Sequence, residues 1–368
     1  MRLLNEEHQM VRDMAAGFLE KNAPVSALRN LRDRADSQGY DTSVYTDMAG
    51  MGWTGMMSSE DVGGLDLGAG VAGLVAEEMG RRLSAAPFLS SAVMAATMAR
   101  ACNAVEISAK IASGNAVVAV AFDEVSKHRP DKVSTKAEVS GNGFVLSGSK
   151  RFVSDAVGAD AVLVTAMTDQ GLGVFLVDPK LRGVVTNQVS TVDSRNAASM
   201  DFNQVVLGGD TLIAQGSEAE SALALTLRVG RSVAASEMVG LSKEVAERTN
   251  AYLRDRKQFG VALAQFQALQ HRAADLYTQI QTTEAITSAA LAAFDANHED
   301  AERLSRVAKA KANKTASLAV REAVQMHGGI GMTDAIDIGL FMKKARACIE
   351  YLGDDSCHAE WLLQDRGL

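Results

Sequence analysis

The run "RDRKQFG", Arg254 to Gly260, carries Arg256, whose guanidinium is a rigid fork of N–H donors matched to a phosphate. Further on, "QMHGGIG" runs from Gln325 to Gly331 and sets Gly328 beside Gly329. Without a Cβ, such a pair lets backbone amides approach a pyrophosphate closely. Each feature also has a plainer reading. Arg256 and Lys257 suit a solvated helix end, and a Gly pair commonly terminates a helix. Groups able to take a proton gather near the C-terminus, where Glu350 and Asp354 each stand two residues from Leu352. Proton transfer needs close geometry, which a local bulge would give either of them. Asp354 and Asp355 equally suit the start of a helix over "SCHAEWLLQD". A third carboxylate, Glu237, follows Arg231 by six residues on one helix. The two then project from different faces, and a packing or partner contact fits Glu237 better.

Other chemistries lack their residues. The six histidines, His271, His327 and His358 among them, show no ligand spacing such as HExxH, so no metal is expected. There is no GxSxG, no local Cys–His signature and no GxGxxG after a strand. Cys102, Cys348 and Cys357 have no CxxC spacing, which fits a reducing cytoplasm. The stretch "MRLLNEEHQMVRD" is too charged for a signal peptide, and no apolar run approaches ~18 residues, so no membrane is expected. A net charge of −8 argues against nucleic acid and leaves room for a small anion held locally.

The elements that must position these residues follow from the patterning. The 368 residues are 47% hydrophobic and 22% charged, enough for two or three domain cores. Residues 1–114 read as helical, with Leu4, Val11, Met14 and Phe18 at helical spacing, broken by the Gly-rich "MGWTGMMSSEDVGGLDLG". Residues 115–215 change period to short β-branched runs such as "AVVAVAF" and "DAVLVTAM", and Ser140-Gly141-Asn142-Gly143 is a hairpin turn. Residues 216–368 return to helix, with Val229, Val233, Leu241, Val245 and Tyr252 on roughly one face. The expected fold class is mainly α with an inserted β domain.

That order, with its local patterns, resembles the acyl-CoA dehydrogenase family nearly end to end. The matching pieces are "NEEHQMVRDMAAGFL", "MGWTGMMSSEDVGGLDLG", "EEMGRRLSAAPF", "GFVLSGSKRFVSDAVGADAVLV", "RDRKQFGVALAQFQALQHRAADL" and "QMHGGIGM", in the family's order. The resemblance implies an N-terminal helical domain, a small β-barrel or sandwich and a C-terminal four-helix bundle. It implies FAD as cofactor, assembly as dimers or dimers of dimers, and oxidation of the Cα–Cβ bond of an acyl-CoA thioester. A carboxylate takes the α-proton, hydrogen bonds to the thioester carbonyl stabilise the enolate, and the β-hydride passes to the flavin.

Carried over residue by residue, the resemblance puts Arg256, Phe259 and Gln267 at the pyrophosphate and adenine end of a flavin held mainly by the neighbouring subunit. It adds Gln325, Gly328 and Gly329 to that clamp and sets Phe152 and Ser154 of "KRFVSDA" beside the flavin ring. Phe152 also suits the core of a strand. Two departures stand out. The family's Thr-Glu-Pro-x-x-Gly-Ser-Asp-like loop is replaced by "FDEVSKHRPDKV". Its Lys127, His128, Arg129 and Lys132 read as a solvated loop, with a phosphate contact as the alternative. The family's Tyr-Glu-Gly-Thr loop falls on Tyr351-Leu352-Gly353-Asp354, so the base position is a leucine. A second base location used in the family, one residue before Arg231, is Gly230. Arg231 itself is a candidate substrate contact.

The clamp for a neighbour's flavin is present and the chain's own base is absent. The expected function is therefore that of a non-catalytic or weakly catalytic subunit in a hetero-oligomeric FAD-dependent acyl-CoA dehydrogenase. Its partner would be a homologous, longer catalytic subunit (α2β2), with bulky substrates such as steroid side-chain CoA esters, and an electron-transferring flavoprotein would take the electrons. The alternatives are a self-sufficient homodimer or tetramer with its base relocated to Glu350, Asp354 or Glu237, and a flavin-dependent oxidase or monooxygenase on the same fold. A flavin-free scaffold is the reading from outside enzymology.

Overall fold

In the computed structural model, which describes residues 5–367, helices come first, then a sheet, then helices again. The leading helices are α1 (Glu6–Asn22), α2 (Val25–Asp33), α3 (Thr42–Gly50), α4 (Gly68–Arg82), α5 (Ala96–Ala101) and α6 (Val105–Ala112), with a π-helical stretch at Phe88–Ala95. The strands are β1 (Val118–Ala121), β2 (Lys136–Ser140), β3 (Gly143–Ser154), β4 (Ala161–Thr168), β5 (Gly171–Val177), β6 (Val184–Gln188), β7 (Ala197–Gly208) and β8 (Leu212–Gln215). Helix α7 (Ser217–Asp255) leads into a two-stranded ribbon, β9 (Lys257–Gln258) and β10 (Val261–Ala262). The chain ends in α8 (Gln267–Asp295), α9 (Ala301–His327), α10 (Ile338–Glu350) and α11 (Asp355–Asp365).

Two compact units result. One gathers Met1–Asn30, Gly73–Ser84 and Arg231–Leu368; the other gathers Leu31–Ala72 and Ala85–Gly230.

The sheet unit orders its strands β6-β7-β3-β2-β4-β5-β8, with β1 parallel to β4. The sheet is open, since β6 and β8 end the order without pairing to each other, so it does not close into a barrel. Alternate residues of β3, β4, β5 and β7 face one core, including Leu146, Val162, Val164, Phe175, Val177, Met200 and Phe202. The β2–β3 hairpin closes where expected, with Ser140 opposite Gly143. Gly141 takes the positive φ (+59°) that a tight two-residue turn demands at its first central position.

In the helical unit, α7 is buried on every side from Arg231 to Ser242, as a helix at the centre of a bundle must be. Helix α9 presents a buried stripe of Ala308, Ala312, Ala316, Ala319 and Ala323, and small side chains at that spacing let helices approach closely. Helices α4 and α7 cross closer still. A Cβ on Gly240 would lie 1.7 Å from the Glu77 carbonyl oxygen, and one on Gly80 would lie 1.9 Å from that of Glu237. Among the described residues, no helix is long and apolar enough to cross a membrane.

Candidate functional site

Leu352 lies in the turn between α10 and α11. Its side chain is 1% exposed, its backbone is left-handed (φ +60°), and Gly353 follows at φ +106°. The flanking acids are already engaged. Glu350 pairs with Arg346 one turn back on α10, at 2.6 Å. Asp354 is the N-cap of α11 and accepts the Cys357 amide at 2.9 Å. Glu237 is buried on α7 and paired with Lys344 of α10 at 3.0 Å, in the packing role its spacing suggests. Arg231 is 1% exposed, and its Nη2 donates to both carboxylate oxygens of Glu302 at 2.6 and 2.7 Å while Nε donates to Ser305 Oγ at 3.1 Å. The same Glu302 accepts from Arg306 Nε at 2.6 Å. Within the helical unit, Arg231 is thus tied to α9 and occupied.

Beneath the turn stands Lys309, fully buried in α9. Its ammonium donates to Asn313 Oδ1 at 2.7 Å, the Cys348 carbonyl at 2.9 Å and the Gly353 carbonyl at 3.1 Å. Asn313 Nδ2 reaches the same Gly353 carbonyl at 3.2 Å. Burial pushes the Lys309 ammonium down to about 8.

The second feature of this unit faces outward. Gln258 pairs with Val261, so Phe259 and Gly260 make a two-residue hairpin turn, both with positive φ (+54° and +81°). Glycine or asparagine is favoured at the first of those places; a phenylalanine there is strained, and this one is 88% exposed. Its ring meets Phe266 edge to face at 6.1 Å, immediately before α8 begins at Gln267. Arg256 starts this hairpin, is exposed, and makes no ion pair among the described residues. One turn earlier, Tyr252 stacks on His327 with ring centroids 4.3 Å apart. That contact brings the Arg256 hairpin near the end of α9, where Gln325, Gly328 and Gly329 are exposed and Gly328 (φ +65°) caps the helix.

In the sheet unit, the β3–β7 register slips between Lys150 and Val153, and Phe152 sits in that bulge with φ +51°. It is 51% exposed, so the core reading of Phe152 is ruled out. The register resumes with Val153 opposite Ala198 and Ser154 opposite Ala197, and the next residue, Asp155, accepts Ser90 Oγ at 2.5 Å. In the "FDEVSKHRPDKV" segment Lys127 and Lys132 are exposed and Arg129 is half-exposed, as a solvated loop requires, and His128 alone of the four basic residues turns inward. His128 is buried with Nδ1 2.8 Å from the Asp123 carboxylate, and Arg129 turns to Asp131 at 2.8 Å. Among the described residues, no cluster of metal-ligating side chains forms.

The comparisons with known proteins point one way. Residues 5–105 match the acyl-CoA dehydrogenase N-terminal domain, and residues 221–364 match the acyl-CoA dehydrogenase C-terminal domain. The chain belongs to the acyl-CoA dehydrogenase family. It is 27% identical over 351 residues to acyl-CoA dehydrogenase IpdE2 of Mycobacterium tuberculosis, covering 94% of this chain and 93% of that one. It is 25% identical over 365 residues to the caffeyl-CoA reductase-Etf complex subunit CarC of Acetobacterium woodii, covering 95% of each. Among solved structures it resembles a variant of the Tcur3481-Tcur3483 steroid ACAD, with a TM-score of 0.89, 27% identity and 98% of each chain covered.

The activity of acyl-CoA dehydrogenases is flavin-dependent oxidation of acyl-CoA thioesters, and their cofactor is FAD. Against that chemistry, sequence reasoning missed Lys309, Asn313, Glu302 and Lys344. A signal for Lys309 was available: it falls at i, i+3, i+7 with Ala312 and Ala316, on the apolar stripe of α9 where a solvated lysine has no place. Glu302 gave none, because its partner Arg231 is 71 residues away in sequence.

Proposed function

We propose that this chain is the non-catalytic or weakly catalytic subunit of a hetero-oligomeric FAD-dependent acyl-CoA dehydrogenase, completing the flavin site of a homologous, longer catalytic partner. The observation that carries this reading is Leu352: the residue that the resemblance sets at the base position is a buried leucine, and Glu350, Asp354 and Glu237 are each held by another group. A general base must be free to reach its proton, and a carboxylate bound to Arg346, to a helix N-terminus or to Lys344 is held elsewhere.

The residues for FAD fit a cofactor approaching from outside the chain. Arg256, Phe259, Gln267, Gln325, Gly328 and Gly329 are all exposed on the helical unit, and a strained, solvent-facing Phe259 makes sense as a surface for an adenine. These residues would hold the pyrophosphate and adenine end of the partner's flavin; on the sheet unit, Phe152 and Ser154 would contact a flavin ring. Bound FAD supplies the electron sink. The Tcur3481-Tcur3483 relative, named as a steroid enzyme of two gene products, supports a two-chain assembly acting on bulky acyl-CoA esters. The CarC relative, a subunit of a caffeyl-CoA reductase-Etf complex, supports an electron-transferring flavoprotein as redox partner.

Arg256→Ala in the assembled pair tests the clamp. Losing a charge-assisted contact of about 1.5–3 kcal/mol should weaken FAD binding about 10- to 100-fold, read by flavin fluorescence on titration. An unchanged affinity would remove Arg256 from the site.

A further inference from the structure

We propose that Lys309, seconded by Asn313, is a positioning residue that holds the Leu352–Gly353 turn in the backbone shape a base at 352 requires, so that this chain's own turn lacks only the carboxylate. The inference rests on the reading of Leu352 as the base position.

The segment from Cys348 to Gly353 is pinned at both ends by one side chain. Cys348 lies in the last turn of α10, and its carbonyl is among those a helix leaves unpaired; Lys309 caps it at 2.9 Å. Past the turn, the Gly353 carbonyl receives both Lys309 at 3.1 Å and Asn313 at 3.2 Å. The third ammonium hydrogen goes to Asn313 Oδ1, which orients the amide so that its Nδ2 faces Gly353. On the far side, Asp354 caps α11, and a Cβ on Gly353 would sit 2.8 Å from the buried His358 ring. The turn has little freedom left.

Two unfavourable features meet here. A leucine is held left-handed, and an ammonium is buried among oxygens that carry no formal charge. Filling space between α10 and α11 needs neither: a glycine at 352 would relieve the first and a methionine at 309 the second. What the pair does provide is a fixed backbone at 352, which is what placing a reacting side chain demands.

The test uses the full chain in its natural assembly, with butyryl-CoA in D2O under anaerobic conditions. It follows exchange of the thioester α-hydrogen by mass spectrometry. In that step the carboxylate takes the α-proton, solvent replaces it with a deuteron, and the carbon is reprotonated, so no oxidant is involved. Leu352→Glu should raise exchange at least tenfold over the parent. Adding Lys309→Met should remove that gain while the cooperative melt persists; should that variant not fold, Asn313→Ala, which deletes one Gly353 bond, should lower the gain instead. The gain should also decline above about pH 8 as the Lys309 ammonium loses its proton, the nearest titratable groups being Cys348, Asp354, Asp355 and Cys357. No gain from Leu352→Glu, or a gain that survives loss of Lys309 or Asn313, overturns the proposal. Exchange by the parent chain on its own would instead contradict the non-catalytic reading.

Discussion

Glu124→Ala is expected to lower the stability of the sheet unit by about 3–5 kcal/mol, the range for breaking a buried ion pair from one side. The Glu124 side chain is 4% exposed and lies 2.7 Å from Lys150, whose side chain is 0% exposed. Lys150 has two further partners, Thr165 Oγ1 at 3.0 Å and the Phe122 carbonyl at 3.3 Å; neither can balance its charge. Glu124 in turn accepts from the Ser134 amide at 2.7 Å, from Ser134 Oγ and from the Thr135 amide at 3.1 Å. Truncating the acid leaves an uncompensated ammonium and orphaned amides in the interior. Urea unfolding of the single variants and of Glu124→Leu/Lys150→Met checks this. The double variant should recover most of the loss, because replacing both partners removes the stranded charge. The same pair sets an acid limit. Burial alone would raise the Glu124 carboxyl, but the Lys150 charge and the Lys150 and Ser134 hydrogen bonds outweigh it and hold it at about 2. A carboxylate lowered on folding stabilises fully above its unfolded value of 4.5 and loses that contribution as the pH falls through about 2. Glu124→Leu/Lys150→Met should therefore lose less stability than the parent between those two values. Equal losses would mean that the pair is not ionised in the folded chain.

Gly240→Ala is the second large effect, a loss of about 3 kcal/mol. Alanine is the better helix former by about 1 kcal/mol, so propensity alone predicts a gain. Packing decides the sign: the new methyl would sit 1.7 Å from the Glu77 carbonyl oxygen, and both partners are helix backbone that cannot swing aside. Gly80→Ala, 1.9 Å from the Glu237 carbonyl, should behave alike. Gly17 in α1 is the control, since a Cβ there meets nothing within 4 Å and Gly17→Ala should stabilise slightly. Thermal melts of the three variants separate the cases. A neutral Gly240→Ala would mean that α4 and α7 do not cross this closely.

What could be read from the sequence was local or periodic. The helix–sheet–helix order, the hairpin at Ser140–Gly143 and the Asp354 cap each depend on neighbours within a few residues. The open sheet was not legible, because β3 pairs with β7 across 43 to 65 residues and nothing local says whether β6 meets β8. Arg231 and Glu302 escaped for the same reason, as did the tie from Glu237 to Lys344. His128 was misjudged because a basic stretch reads as solvated; its burial depends on Asp123, five residues earlier, accepting the ring. Leu352 was noticed only because a glutamate was expected. The lysine that shapes its turn was not, although its place on the alanine stripe of α9 sets it apart from Lys311 and Lys314, and of the three it alone is buried.

The most direct measurement is anaerobic addition of an acyl-CoA to the purified chain supplied with FAD, alone and together with its partner, followed by flavin absorbance at about 450 nm. Bleaching should occur only with the partner present, with about one FAD per pair of chains. A preparation of this chain alone that retains one FAD per chain and is bleached by the thioester would contradict the account.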